Sequence, residues 1–234
     1  MRPKNSSTPL KILSFAHATT VFALSLSAAY AAGTGSSTGT GAPPTQLGPY
    51  TLTSFPVGYD DPRTGVVTEV PTPLGGSLIF SEGMEILEAG SAFWSGWSHG
   101  FAGDVYAIAD FNRPGPFAIT LTLPSDTGAF LFYGQPSPFV LLEMTATLDD
   151  GTTLSQDVHG DTTEVDGGAK GFGFWAPLGG SLASITVTSE FDFALAEFGI
   201  ARAFPNVPEA GNWMAGIAAL GLLGFSVIRR RAHA

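Results

Sequence analysis

The chain contains no cysteine. That excludes a disulfide framework, a thiol nucleophile and every metal centre built on thiolates. Charge is also scarce: 13% of the 234 residues are Asp, Glu, Lys or Arg, roughly half the share in an ordinary soluble domain. Cations are the scarcest of all, ten Lys and Arg against twenty acids for a net charge of −10. This balance argues against a nucleic-acid partner, because holding phosphates takes a basic surface. Sustained helical periodicity is missing between the two ends, and 30 glycines and 17 prolines punctuate the chain. Of the four histidines, His99 and His159 lie away from the ends. Neither has a second histidine at ligand spacing, so a zinc site is not expected. No phosphate-binding loop or dinucleotide fingerprint is present.

The few cations are unevenly placed. Arg2, Lys4 and Lys11 precede an apolar stretch that is purest at Val21-Phe22-Ala23-Leu24-Ser25-Leu26, and Ala29-Tyr30-Ala31 follows. Basic region, apolar region and small-residue site in that order read as a secretory signal peptide over 1–31. From 32 to 49 the composition is Gly, Ser, Thr and Pro with few apolar residues. Such a segment buries too little surface to offset its ordering entropy, so a disordered linker is expected there. At the other end, an uncharged run from Ala210 to Ile228 is followed at once by Arg229, Arg230 and Arg231. As a helix it is about 28 Å long at 1.5 Å per residue, close to a hydrocarbon core of about 30 Å. We place a transmembrane helix at 211–228. The arginines act as the membrane stop on the cytoplasmic side, and Trp213 sits at the opposite interface.

Between the ends, short apolar runs alternate with polar residues: 117–123, 142–148 and 182–188. Period-two alternation with β-branched residues predicts strands with one buried face. Further strands are expected at 129–133, 153–158, 171–176 and 193–203. Asp149-Asp150-Gly151 is a hairpin turn, and Asp166-Gly167-Gly168 and Leu178-Gly179-Gly180 mark other turns. The expected fold class is all-β, a β-sandwich or jelly-roll-like ectodomain over 50–204. The hexapeptide Pro-Leu-Gly-Gly-Ser-Leu occurs at 73–78 and again at 177–182. Its flanks do not continue the match, so each copy is read as a glycine turn feeding a strand.

Chemistry-bearing residues are sparse. Ser98, His99 and Asp104 suggest a nucleophile set, but neighbours on an extended strand point to opposite faces, which spoils the Ser–His hydrogen bond. Carboxylates at Glu82, Glu85 and Glu88, and at Asp149/Asp150, offer no pair whose separation across a cleft can be read from sequence. Asp157, Asp161 and Asp166 lie in or beside a glycine-rich acidic stretch, which makes them weak calcium candidates and the only cofactor suggestion. Trp94 and Trp97, within an aromatic and hydroxyl-rich stretch, are candidates for stacking on sugar rings.

Val207-Pro208-Glu209-Ala210, the apolar helix after it and the terminal arginine cluster together resemble a PEP-CTERM sorting signal, covering 205–234. In that family proline usually follows the glutamate; here Ala210 does. The resemblance implies an exosortase-type processing protease as partner. It also implies an inner-membrane-anchored precursor passed on to the cell surface or outside, in bacteria that make exopolysaccharide. Asp150-Gly151-Thr152, Gly171-Phe172-Gly173-Phe174 and Phe193-Ala194-Leu195 resemble strands of β-sandwich ectodomains found ahead of such signals. In related modules an aspartate follows the last motif, where this chain has Ala196 and then Glu197. The expected function is a secreted structural or adhesive protein of the cell surface, exopolysaccharide matrix or biofilm, not an enzyme. A carbohydrate-binding module is the second reading and a secreted glycan-active enzyme the third.

Overall fold

The computed structural model describes residues 33–35, 39–56, 65–91, 94, 96–110, 113–136, 140–159 and 168–204, and every regular element among them is a β-strand. The signal peptide at 1–31 and the whole of 205–234 lie outside the described residues, and with them Val207, Pro208, Glu209, Ala210 and Arg229 to Arg231. Among the described residues no helix is long and apolar enough to cross a membrane.

Among the described residues thirteen strands follow one another: β1 (Gly33–Gly35), β2 (Gln46–Leu47), β3 (Tyr50–Thr51), β4 (Thr53–Ser54), β5 (Val66–Pro71), β6 (Ser77–Glu88), β7 (Asp104–Ile108), β8 (Phe117–Pro136), β9 (Leu141–Leu148), β10 (Thr153–His159), β11 (Lys170–Trp175), β12 (Leu182–Ser189) and β13 (Phe193–Arg202). All six alternating or aromatic runs at 117–123, 142–148, 153–158, 171–176, 182–188 and 193–203 fall on strands. The stretch 129–133 is not a strand of its own but the second half of β8. Both copies of the repeated hexapeptide are turns that feed a strand: Gly75, Gly76 and Gly179 all have positive φ, the conformation glycine adopts without steric cost. The β9–β10 hairpin closes on Asp149-Asp150-Gly151. There the Leu148 amide donates to Thr152 O at 2.8 Å, and the Thr152 amide donates to Asp150 Oδ1 at 2.8 Å. That amide holds the Asp150 carboxyl below its ordinary pKa.

The order of the large sheet is β10-β9-β12-β8-β13-β7-β6-β5. Two long strands carry it from one layer to another. The first half of β8 pairs with β12 and β6, and its second half with β11 and β13. The changeover sits at 124–127, where Asp126 takes φ +62° and the Thr127 hydroxyl donates to Pro124 O at 2.7 Å. β6 does likewise, pairing with β8 near residue 80 and with β7 from Met84 to Glu88. One apolar cluster draws Ile119, Leu121, Met144, Ile185 and Val187 from the first layer, and Phe130, Phe132, Phe172, Leu195 and Phe198 from the second. Two layers sharing one core are consistent with a β-sandwich.

The two layers differ in their outer faces. In the first, burial alternates residue by residue, so its outer face meets solvent. In the second, burial is continuous over 127–136 of β8 and nearly so over β13, which requires a cover on both faces. The shared core covers the inner face, and the outer face is covered in two adjoining parts. The 89–103 loop covers one part, with Ala89, Trp94, Trp97 and Phe101 over Val105, Ala107, Ala194 and Ala196. The 39–56 segment supplies the second cover, with Leu47 and Tyr50 over Leu131, Tyr133 and Ala201.

That second cover corrects the disordered linker expected at 32–49. Gly39 O accepts from the Gly171 amide and Gly41 O from the Tyr133 hydroxyl, so polar backbone is satisfied by the sheet. Leu47 lies where a side chain on Gly173 would have been: a Cβ there would come within 2.5 Å of it. Composition missed this because the apolar area comes from a few residues, and the rest of the ordering comes from backbone hydrogen bonds. The packed β body therefore begins before residue 50.

Candidate functional site

The most connected polar cluster forms where the 89–103 loop crosses β13. β13 carries a bulge: Ala196 lies opposite Tyr133 and Gly199 opposite Leu131, so Glu197 and Phe198 together face one residue of β8. Glu197 takes φ +53°. Without the extra residue Glu197 would share the inward face of Phe193 and Leu195. The bulge turns it onto the covered outer face and sends Phe198 into the core.

There Glu197 Oε2 accepts from the Trp97 indole N–H at 2.9 Å, and Oε1 lies 2.7 Å from His99 Nε2. The Glu197 side chain is 5% exposed and that of His99 18%. Ser98 Oγ lies 3.0 Å from His99 Nδ1, and Thr40 O lies 3.3 Å from the same nitrogen. Tyr133 sets its ring edge-on to the imidazole. With the proton on Nε2, His99 donates to Glu197 and accepts the Ser98 hydroxyl. Protonating Nδ1 makes it a donor, and Thr40 O is then an available acceptor. Burial raises the Glu197 pKa above its ordinary value, while the hydrogen bonds from Trp97 and His99 and the histidine charge pull it down in part.

This arrangement corrects the geometric reason for setting Ser98 and His99 aside. His99 adopts φ +42°, so the two residues are not consecutive on an extended strand and their side chains meet. Asp104 is not the third member; it begins β7, paired with Glu88. The third member is Glu197, a lone acid in the otherwise apolar run 193–200. A lone acid in an apolar strand and the Gly-x-Ser-x-Gly form of Gly96-Trp97-Ser98-His99-Gly100 are the two signals in the sequence that point to the cluster.

Serine on one ring nitrogen and carboxylate on the other is the connectivity of a nucleophilic relay. The surroundings differ from one. Ser98 is 3% exposed, and Gly168 is pressed against it so closely that a Cβ would lie 3.0 Å from the Ser98 backbone. No strand precedes the serine directly and no helix follows it, unlike a nucleophile elbow. In this conformation the described residues enclose Ser98. What the cluster does is fasten the 89–103 loop to β13.

The other sequence candidates are distributed elsewhere. Trp94 is 7% exposed, with its indole N–H donating to Gln135 Oε1 at 2.8 Å. It is a core residue with no free face for a sugar, which corrects its assignment to stacking. Trp97 is half-buried, held by Glu197 and packed near Phe101. Glu82 pairs with Arg113 at 2.7 Å, and Asp149 accepts from the Ser181 hydroxyl. Asp157 is exposed on β10, directly opposite Glu143. Asp161 and Asp166 lie outside the described residues. Among the described residues no three His, Asp or Glu side chains gather as a metal-binding group.

No family model, curated protein or solved structure matches this chain.

Proposed function

We propose that the chain is an exported protein of the cell envelope. Its β-sandwich body, jelly-roll-like in its two bent strands, serves a structural or adhesive role at the surface or in the extracellular polysaccharide matrix. The observation that supports this reading is the pair of ends: a basic-apolar-small segment at 1–31, and Val207-Pro208-Glu209-Ala210 before an apolar run and Arg229-Arg230-Arg231. A signal peptidase removes the first. The second holds the precursor in the inner membrane until an exosortase-type protease cuts near the motif and passes the body outward.

Fractionation of the producing bacterium tests this. A precursor is expected in the membranes and a lighter form outside, with its C-terminus near Pro208 by mass spectrometry. A released protein that still carries Arg231 contradicts the proposal.

The carbohydrate-binding reading gains from the open polar face of the first layer. The glycan-active enzyme reading needs two carboxylates facing each other across a cleft and draws no support from the Ser98–His99–Glu197 cluster, whose serine is enclosed. A fluorophosphonate probe, which labels activated serines, is expected to leave Ser98 unmodified in the folded chain. Stoichiometric labelling of Ser98 that disappears in His99→Ala would show an accessible, activated serine and overturn the enclosed reading of the cluster.

A further inference from the structure

The solvent-facing side of the first layer is a lattice of hydroxyls. Three Thr-x-Thr segments, Thr120-Leu121-Thr122, Thr145-Ala146-Thr147 and Thr186-Val187-Thr188, lie on three adjacent strands. Strand register aligns them in rows. One row runs Thr122, Ser184, Thr147, Thr153, and the next Thr120, Thr186, Thr145, Ser155. Neighbours in a row are about 4.8 Å apart and rows about 6.7 Å apart, the spacings of any pleated sheet. Within the middle row Thr120 and Thr186 share a hydrogen bond at 3.0 Å, as do Thr145 and Ser155. Each such bond uses one hydrogen of the pair, so the second hydroxyl hydrogen remains for an outside acceptor.

The third row changes character: Ala118, Thr188, Glu143, Asp157. Glu143 and Asp157 are both exposed and directly opposite, a like-charge pairing that weakens a sheet. This row opens into a cleft of about 380 Å³, within the range of small-molecule sites. Glu143, Thr188, Ser189 and Glu190 supply its polar lining, and Pro116, Val140 and Leu141 its apolar lining; among the described residues no cationic side chain lines it.

We infer that this face and its cleft bind an uncharged polysaccharide. The inference deepens the adhesive reading and rests on it for the setting in which glycan is met. Threonine offers a methyl beside each hydroxyl, matching the mixed C–H and O–H surface of a sugar chain. Carboxylates in the cleft are strong acceptors for sugar hydroxyls, and Val140, Leu141 and Pro116 suit the C–H side of a ring. Charge decides between glycans. The lattice is neutral, the cleft is anionic, and nineteen carboxylates stand against four cations between residues 50 and 204. An anionic polysaccharide is therefore repelled.

The test is affinity electrophoresis of the full chain in mild detergent through gels holding dextran, galactomannan or hydroxyethyl cellulose, with alginate as the anionic comparison. At least one uncharged glycan is expected to retard the protein and alginate is not. Thr120→Val with Thr186→Val removes two hydroxyls while keeping β-branched side chains, and is expected to weaken retardation about tenfold at an unchanged melting temperature. Glu190→Gln separately tests the cleft and is expected to weaken it about threefold. Unaltered migration in all three uncharged gels, retardation by alginate alone, or undiminished retardation of the double variant each overturns the proposal. A chain retarded by dextran yet never exported sinks the envelope reading and leaves this one; an exported but unretarded chain does the reverse.

Discussion

Phe198→Ala is expected to destabilise the protein by about 3–5 kcal/mol, the range for removing a buried aromatic ring. Phe198 is the junction of the core's aromatic contacts. Its ring lies 5.4 Å from Phe55, 5.5 Å from Tyr106, 5.8 Å from Phe130 and 6.4 Å from Phe80. Those four partners belong to the 39–56 cover, β7, β8 and β6, so one truncation loosens four elements at once. Because the partners sit on paired backbone, they cannot collapse into the space, and the cavity term is expected in full. Urea denaturation measures this as a lower midpoint at unchanged slope. Phe191→Ala is the comparison: that ring is 42% exposed, and its loss is expected to change stability little. A Phe198→Ala midpoint equal to that of Phe191→Ala would show that the bulge does not deliver Phe198 to the core.

The second large effect concerns the residue beside it. Glu197→Ala leaves the Trp97 indole N–H and His99 Nε2 without their acceptor, at about 1–3 kcal/mol for each group left unpaired. Glu197→Gln retains an acceptor oxygen and costs less. The glutamine variant also isolates a pH dependence. Burial raises the Glu197 pKa above its ordinary 4.5, so between 4.5 and the raised value the folded state keeps a proton that the unfolded state releases. The folded state then binds more protons, and stability from this group falls as pH rises through that window. Glu197→Gln removes the term, so its stability relative to the parent is expected to improve as pH climbs from 4.5. Asp192, also raised by burial, is present in both chains and cancels in the difference. Urea midpoints at a series of pH values read this out, and parallel curves would be inconsistent with a buried carboxylate.

The contrast between Phe198 and Glu197 shows what the sequence made legible. Alternation in 117–123, 142–148 and 182–188 marks strands with one wet face, because each side chain there has a single environment. The second half of β8 and most of β13 have two covered faces, so their runs are apolar throughout and periodicity says little about orientation. Of β6 only the start was legible, through the turn at 73–78 that feeds it: Glu82 falls where the alternation of Leu78, Phe80, Met84 and Ile86 calls for an apolar residue, which masks the rest of the strand. The Ser98–His99–Glu197 cluster depends on two positive φ values, at His99 and Glu197. Backbone of that kind at non-glycine residues is imposed by tertiary contacts, not by local preference. The cover at 39–56 was illegible because its ordering partners are about a hundred residues away in sequence.

β13 has a mechanical consequence. It is flanked by β8 on one side and by β4 and β7 on the other, and the chain continues from it past Phe204. A pull on that continuation along the strand loads both ladders lengthwise, so their hydrogen bonds resist together instead of parting one by one. The bulge at Glu197 and Phe198 adds a side-chain catch on each face against sliding. A body tethered or cemented through this end would meet drag with a strand braced along both edges.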